Sequence, residues 1–229
     1  VKMEDFRRKA RLVAGGHTTE APATMTYASV VSRETVRIAL TVAALNDLEV
    51  KAADVLNAYV TAPNKEKIYT ILGPEFGRDA GKMAVVVRAL YGLKSAGAAF
   101  RAHLGDCMKG LGYRPCLADP DLWLKPMVRP CDGVEYYSYI LCYVDDILVI
   151  HHDSHSVLRL IDKYFPLKPG SSVSDPDMYL GTKLRRMKLD NGVIAWGLSP
   201  TKYVKESVRV CEEYIKTSLG SLFKLVKRA

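Results

Sequence analysis

Two adjacent acids, Asp145 and Asp146, lie inside the apolar run YYSYILCYVDDILVIHH at Tyr136 to His152. Like charges side by side repel and raise each other's pKa, so an apolar setting for such a pair requires an offset. A divalent cation is the simplest one. Asp oxygens are hard ligands that suit Mg²⁺ or Mn²⁺, and Mg²⁺ takes one or two carboxylates together with waters and substrate phosphates. A third carboxylate from a separate strand would allow two ions about 3.5–4 Å apart. One ion would activate a hydroxyl nucleophile, and the other would neutralise a leaving diphosphate. Asp54, in LEVKAADVLNAYV, is the natural third acid. The competing structural readings are a strand-end cap for Asp54 and an ordinary hairpin turn for Asp145-Asp146.

These acids need elements to carry them. Leu48, Val50 and Ala52 alternate with Glu49 and Lys51, which predicts a strand delivering the chain to Asp54. The β-rich runs on both sides of Asp145-Asp146 predict a hairpin with those acids at its tip. Before the first strand, Ser32 and Glu34 open a helical pattern with a broad apolar face, Val36 to Leu45, ended by Asn46-Asp47. Strands are expected at Ile68 to Leu72 and Val85 to Leu90, and a helix at Ala96 to Leu111 closed by Gly112. A short amphipathic helix is expected at Ser154 to Phe165, then a loop at Pro166 to Pro176. A last hairpin turns at Asp190-Asn191-Gly192, and helix signals run from Ser199-Pro200 to about Tyr214. The sum is an α+β fold.

The chain's 229 residues, 48% hydrophobic, suffice for one sizeable core or a core with a small lobe. Lys and Arg outnumber Asp and Glu by 33 to 25, a formal +8, which suits a polyanionic partner. Five cysteines without a C-x-x-C pair read as reduced thiols in an intracellular protein, neither disulfide framework nor zinc site. No apolar run is long enough to span a bilayer, so no membrane partner is expected. A chain opening on Val1 reads as a fragment of something longer. His151, His152 and His155 cluster without a fourth ligand spacing and are expected to form a solvated strand end.

The motifs together resemble the reverse transcriptases of copia-type LTR retrotransposons, from about Lys9 to Tyr214. YVDD at Tyr143 to Asp146 looks like their metal-binding motif, with Tyr143 and Val144 forming its hairpin. KARLVAGG at Lys9 to Gly16 resembles KARLVAKG, and ADVLNAYV at Ala53 to Val60 resembles DVKTAFL. IYTILGPEFG is similar to IYMxxPxGF, and LSPTKYV to LSQxKYI; LYGLK and YLG also match, all in the family's order.

The resemblance implies an RNA-directed DNA polymerase with a right-hand architecture. An antiparallel palm sheet would pack on helices, with interleaved fingers and a partial thumb. Residues 1–170 would form fingers and palm, 171–215 the end of the palm and the start of the thumb, and 216–229 a tail. Two Mg²⁺ or Mn²⁺ ions would be bridged by Asp54 and Asp145, with Asp146 more peripheral. The partners would be an RNA or DNA template with its primer, and a dNTP. Tyr59 would crowd the sugar 2′-position by steric exclusion; otherwise it is a core aromatic. Lys9 and Arg11 would grip the triphosphate; otherwise they are solvated charges. Tyr91, Gly92 and Lys94 would lie beside the nascent pair, with glycine allowing close backbone approach. Tyr179, Leu180 and Gly181 would form a primer grip; the alternative is plain strand and turn. The setting implied is intracellular, in a cytoplasmic virus-like particle or the nucleus, as part of a polyprotein.

Departures from the pattern matter. YGLKSAGAAF stands where the family has YGLKQSPRAW, losing polar and basic groups, and Gly15-Gly16 replaces Lys-Gly. A decayed element that keeps the fold without polymerising therefore remains an alternative. So does a phosphoribosyltransferase-like diphosphate binder. That site would need a parallel sheet and a Gly/Thr-rich phosphate loop after the acids, and the chain instead continues ILVIHHDSH.

Overall fold

The computed structural model describes residues 11–23, 25–170 and 178–219. The elements run α1 (Arg33–Leu45), β1 (Glu49–Asp54), α2 (Ala58–Thr61), β2 (Tyr69–Ile71), β3 (Met83–Val85), α3 (Ala96–Gly110), β4 (Arg114–Pro115), β5 (Leu122–Val128), β6 (Glu135–Tyr143) and β7 (Asp146–His151). They continue with α4 (Ser154–Asp162), β8 (Met178–Tyr179), β9 (Thr182–Lys188), β10 (Ile194–Ser199) and α5 (Thr201–Leu219). The expected α+β class is met, with a five-stranded antiparallel sheet in the order β1-β7-β6-β5-β4. No helix among the described residues is long and apolar enough to cross a membrane.

Strand β7 explains why this sheet is covered on both faces. Ile147 and Val149 enter one core while Leu148 and Ile150 enter the other, as the two-residue period of a strand requires. The first core gathers Phe100, Leu104 and Met108 of α3, Val157, Leu158 and Ile161 of α4, and Phe165. The second gathers Val36, Leu40 and Ala43 of α1 with Tyr179 and Leu184 of the smaller sheet β10-β9-β8. The strand next to Asp146 is therefore gripped from both sides.

Helix α1 starts where its N-cap predicts. The Ser32 hydroxyl accepts from the Thr35 amide at 3.1 Å, satisfying one of the orphan donors of the first turn. Ser32→Ala should cost about 1 kcal/mol, read as a shift in urea midpoint at unchanged slope.

Three expectations are corrected. The run from Val85 to Leu90 is not one strand: β3 ends at Val85, and the chain then turns away. There Asn64 donates to the Val87 carbonyl and Ala89 to that of Ala62. Helix α4 stops at Asp162, and Phe165 is buried beyond it. Helix α5 runs on to Leu219 instead of ending near Tyr214. Strand β5 was not anticipated at all.

Candidate active site

Strand β1 lies antiparallel to β7, and its last pair sets Asp54 directly opposite Asp146. Such partners hold their Cβ atoms about 4.5–5.5 Å apart, and like charges there destabilise the sheet. Asp145 occupies the turn beside them, and its carbonyl accepts from the Val55 amide at 2.8 Å. The turn itself is Val144-Asp145, because Tyr143 already pairs with Asp146; the expected tip is thus displaced by one residue. Val144 has φ +55°, a conformation that β-branched residues rarely adopt. Backbone strain of this kind persists only where the surroundings enforce it, and here both strands do.

The electrostatics follow from the crowding. Burial first, then the charges of Asp145 and Asp54, push the Asp146 carboxyl up to about 6, against an opposing pull from Lys168. Asp54 Oδ1 is buried with no hydrogen-bond partner. Its other oxygen, Oδ2, receives the Lys168 ammonium. Among the described residues, no three His, Cys, Asp or Glu side chains converge tightly enough to enclose an ion. The donor chemistry nonetheless suits a hard divalent ion, since it offers three acids, one of which, Asp54, has a buried oxygen without a hydrogen-bond partner.

Aromatic side chains extend the site from the turn. The Tyr59 ring lies 5.0 Å from that of Tyr91 and 6.0 Å from that of Phe100. The Tyr59 hydroxyl is pushed up by burial and then by the Asp145 charge, which links it to the acids. The Arg11 guanidinium sits 5.7 Å over the Tyr91 ring. A groove of about 310 Å³ opens alongside, lined by Ser29, Tyr59, Phe100, Arg101, Trp123 and Val144 among others. Gly92 has φ +91°, and a Cβ there would stand 2.1 Å from the Ala14 carbonyl oxygen. Its close approach is to the chain's own segment 13–16, where the Ala14 amide donates to the Tyr91 carbonyl at 2.7 Å. Lys94 donates to the Thr19 carbonyl at 2.7 Å. Lys9 falls outside the described residues.

Tyr179 ends β8, and Leu180 (φ +52°) with Gly181 (φ +70°) makes a tight turn into β9. Tyr179 is buried, and its hydroxyl is raised well above its ordinary value by burial and then by Cys142, Asp146 and Tyr143. The turn after β8 therefore belongs to the neighbourhood of the carboxylate hairpin.

Lys168 was missed, because it sits in a stretch whose Pro, Gly and Ser content reads only as loop. Instead, residues 166–168 form a short paired edge. Lys168 donates its amide to the Asp54 carbonyl at 2.8 Å, Leu56 donates to that of Pro166 at 2.8 Å, and Val55 bridges Leu167.

The histidines are also corrected. His151 is buried at 4% exposure, not a solvated strand end. Its Nδ1 accepts the Asp153 amide at 2.9 Å. Burial, then the neighbouring His152 charge, lowers its pKa from 6.5 to about 4. A proton bound more weakly in the folded chain makes this contribution to stability complete above pH 6.5 and lost as pH falls towards 4. His151→Gln should flatten the dependence of urea midpoint on pH across that window.

Comparison with known proteins gives the family. Residues 1–197 match the family described as reverse transcriptase (RNA-dependent DNA polymerase). The chain belongs to the reverse transcriptase family. It is 29% identical to the retrovirus-related Pol polyprotein from transposon TNT 1-94 of Nicotiana tabacum, over 97% of this chain and 17% of that protein. It is 28% identical to the Pol polyprotein from transposon RE1 of Arabidopsis thaliana, over 79% of this chain and 12% of that protein. It is 27% identical to the RE2 polyprotein of the same plant, again over 79% and 12%. The resemblance to copia-type Pol polyproteins thus holds over most of the chain, which spans well under a fifth of the relatives' length. No solved structure matches. The antiparallel pairing of β6, β7 and β1 disposes of the phosphoribosyltransferase-like alternative, which needed a parallel sheet.

Proposed function

We propose that this chain is the polymerase core of a copia-type retroelement and extends a primer 3′-hydroxyl with deoxynucleotides on an RNA or DNA template. The observation that carries this reading is the pairing of Asp54 with Asp146 across two antiparallel strands, with Asp145 in the adjoining turn. In this reading the five-stranded sheet is the palm, residues 1–170 hold palm and fingers, and 171–215 complete the palm and begin the thumb. The setting is intracellular, within a virus-like particle or the nucleus.

Asp54 and Asp145 would hold two Mg²⁺ or Mn²⁺ ions, which supply activation of the hydroxyl and neutralisation of the leaving diphosphate when bound. Asp146, opposite Asp54, maintains the negative field and the hairpin geometry. Arg11, with Lys9, grips the triphosphate, and the Tyr91 ring neighbours both Arg11 and Tyr59, so that the grip and the sugar pocket share one wall. Tyr59 excludes a ribose 2′-hydroxyl. Gly92 and Lys94 tie this wall to the start of the chain. The Tyr179-Leu180-Gly181 turn aims the primer end at the hairpin.

The test is primer extension by the purified chain on an RNA template with Mg²⁺ and four dNTPs. Elongated primer is expected. A folded chain that extends nothing with either Mg²⁺ or Mn²⁺ would favour the inert-element alternative.

A further inference from the structure

Lys168 is fixed at the carboxylates by its own backbone. Its amide is bonded to Asp54, the flanking residues pair with 55 and 56, and the Leu167 amide donates to the Asp162 carboxylate at 2.8 Å. The segment is thus held at one end by the end of α4 and along its length by the strand that carries Asp54. Its ammonium rests on Asp54 Oδ2 while Asp54 Oδ1 has no partner. A cation already occupies half of the carboxylate that a divalent ion would need.

We propose that Lys168 is a positioning residue for Asp54: its ammonium holds the carboxylate in the metal-free protein, and a divalent ion must displace it to enter. This inference rests on the metal-site reading above. The ion pair keeps three neighbouring acids tolerable without metal. It also makes the site weaker for divalent ions than its acids alone would be. Both partners are partly exposed, with side-chain exposures of 42% for Lys168 and 28% for Asp54. Solvent screens such a pair, so the competition is worth a small factor in affinity, about threefold.

Mn²⁺ binding followed by electron paramagnetic resonance tests this without any turnover. Lys168→Met should bind Mn²⁺ about threefold more tightly than the native chain, with Lys168→Arg close to native. Metal-free Lys168→Met should melt about 2 °C lower and recover more on adding Mn²⁺. The native chain supplies a second readout that needs no variant. Saturating Mg²⁺ should raise the rate at which an amine-acylating reagent labels Lys168, about threefold by the same competition, measured by mass spectrometry. Asp145→Asn is the control. If Mn²⁺ binding requires Asp145 but is no tighter in Lys168→Met, and Lys168 labelling ignores Mg²⁺, the displacement idea is overturned alone. If Mn²⁺ binding does not depend on Asp145, the metal-site reading falls and this inference falls with it.

Discussion

Asp145→Asn is expected to lower magnesium-dependent primer extension by on the order of 10³-fold while leaving the fold intact. Asparagine keeps the size of the side chain and its fitness for a turn, so the strained Val144 position and the Val55 amide bond to the residue 145 carbonyl can persist. What disappears is one unit of negative charge at the point where β1 and β7 meet. The metal-free protein gains from that loss, since Asp145 is the leading charge that pushes the Asp146 carboxyl up to about 6. The substitution should therefore leave melting temperature equal or slightly raised as activity collapses. Steady-state extension and thermal melting on the same preparation check both halves. A destabilised variant with proportionate activity would mean that Asp145 serves the turn and not the chemistry.

The second large effect is on sugar choice. Tyr59→Val should raise ribonucleotide incorporation relative to deoxynucleotide by about 10²-fold. Tyr59 is braced by Tyr91 at 5.0 Å and Phe100 at 6.0 Å, and its hydroxyl stands 3.8 Å from where a Gly97 Cβ would lie. A ring braced by two aromatic neighbours resists swinging away from an extra hydroxyl, whereas valine leaves space. Tyr59→Phe keeps the ring and should keep the selectivity. The check is the ratio of kcat/KM for a matched rNTP and dNTP pair. An unchanged ratio in Tyr59→Val would reduce Tyr59 to a packing residue.

How much of this is legible in the sequence depends on the range of the signal. The β6-β7 hairpin announced itself because its apolar runs are long and β-rich, and the acids interrupt them at the turn. Its double-sided burial, with Ile147 and Val149 in one core and Leu148 and Ile150 in the other, is the reason for that continuous hydrophobicity. Helix α1 was legible through Ser32 and its apolar period. Strand β5 was not, since Lys125 and Pro126 break its pattern and its identity comes from pairing with β6. Helix α5 extends past the expected end near Tyr214 through residues 215–219, a stretch too short and too poor in apolar residues to carry a helical period of its own. Within α5, Arg209 pairs with Glu206 and Glu213, a helical spacing that could have been counted. Motif order placed Asp54 near Asp145-Asp146, but only strand pairing shows that Asp146 is the residue opposite it. Lys168 had no local signal, for its meaning lies in a contact with a residue 114 positions away.

The measurement that bears most directly on the metal site is a crystal structure of the chain with primer, template, a non-hydrolysable dNTP and Mn²⁺, read by anomalous scattering. Two manganese peaks about 3.5–4 Å apart, both touching Asp54 and Asp145, are predicted. Manganese bound elsewhere, with Lys168 still seated on Asp54 in the loaded complex, would contradict the assignment.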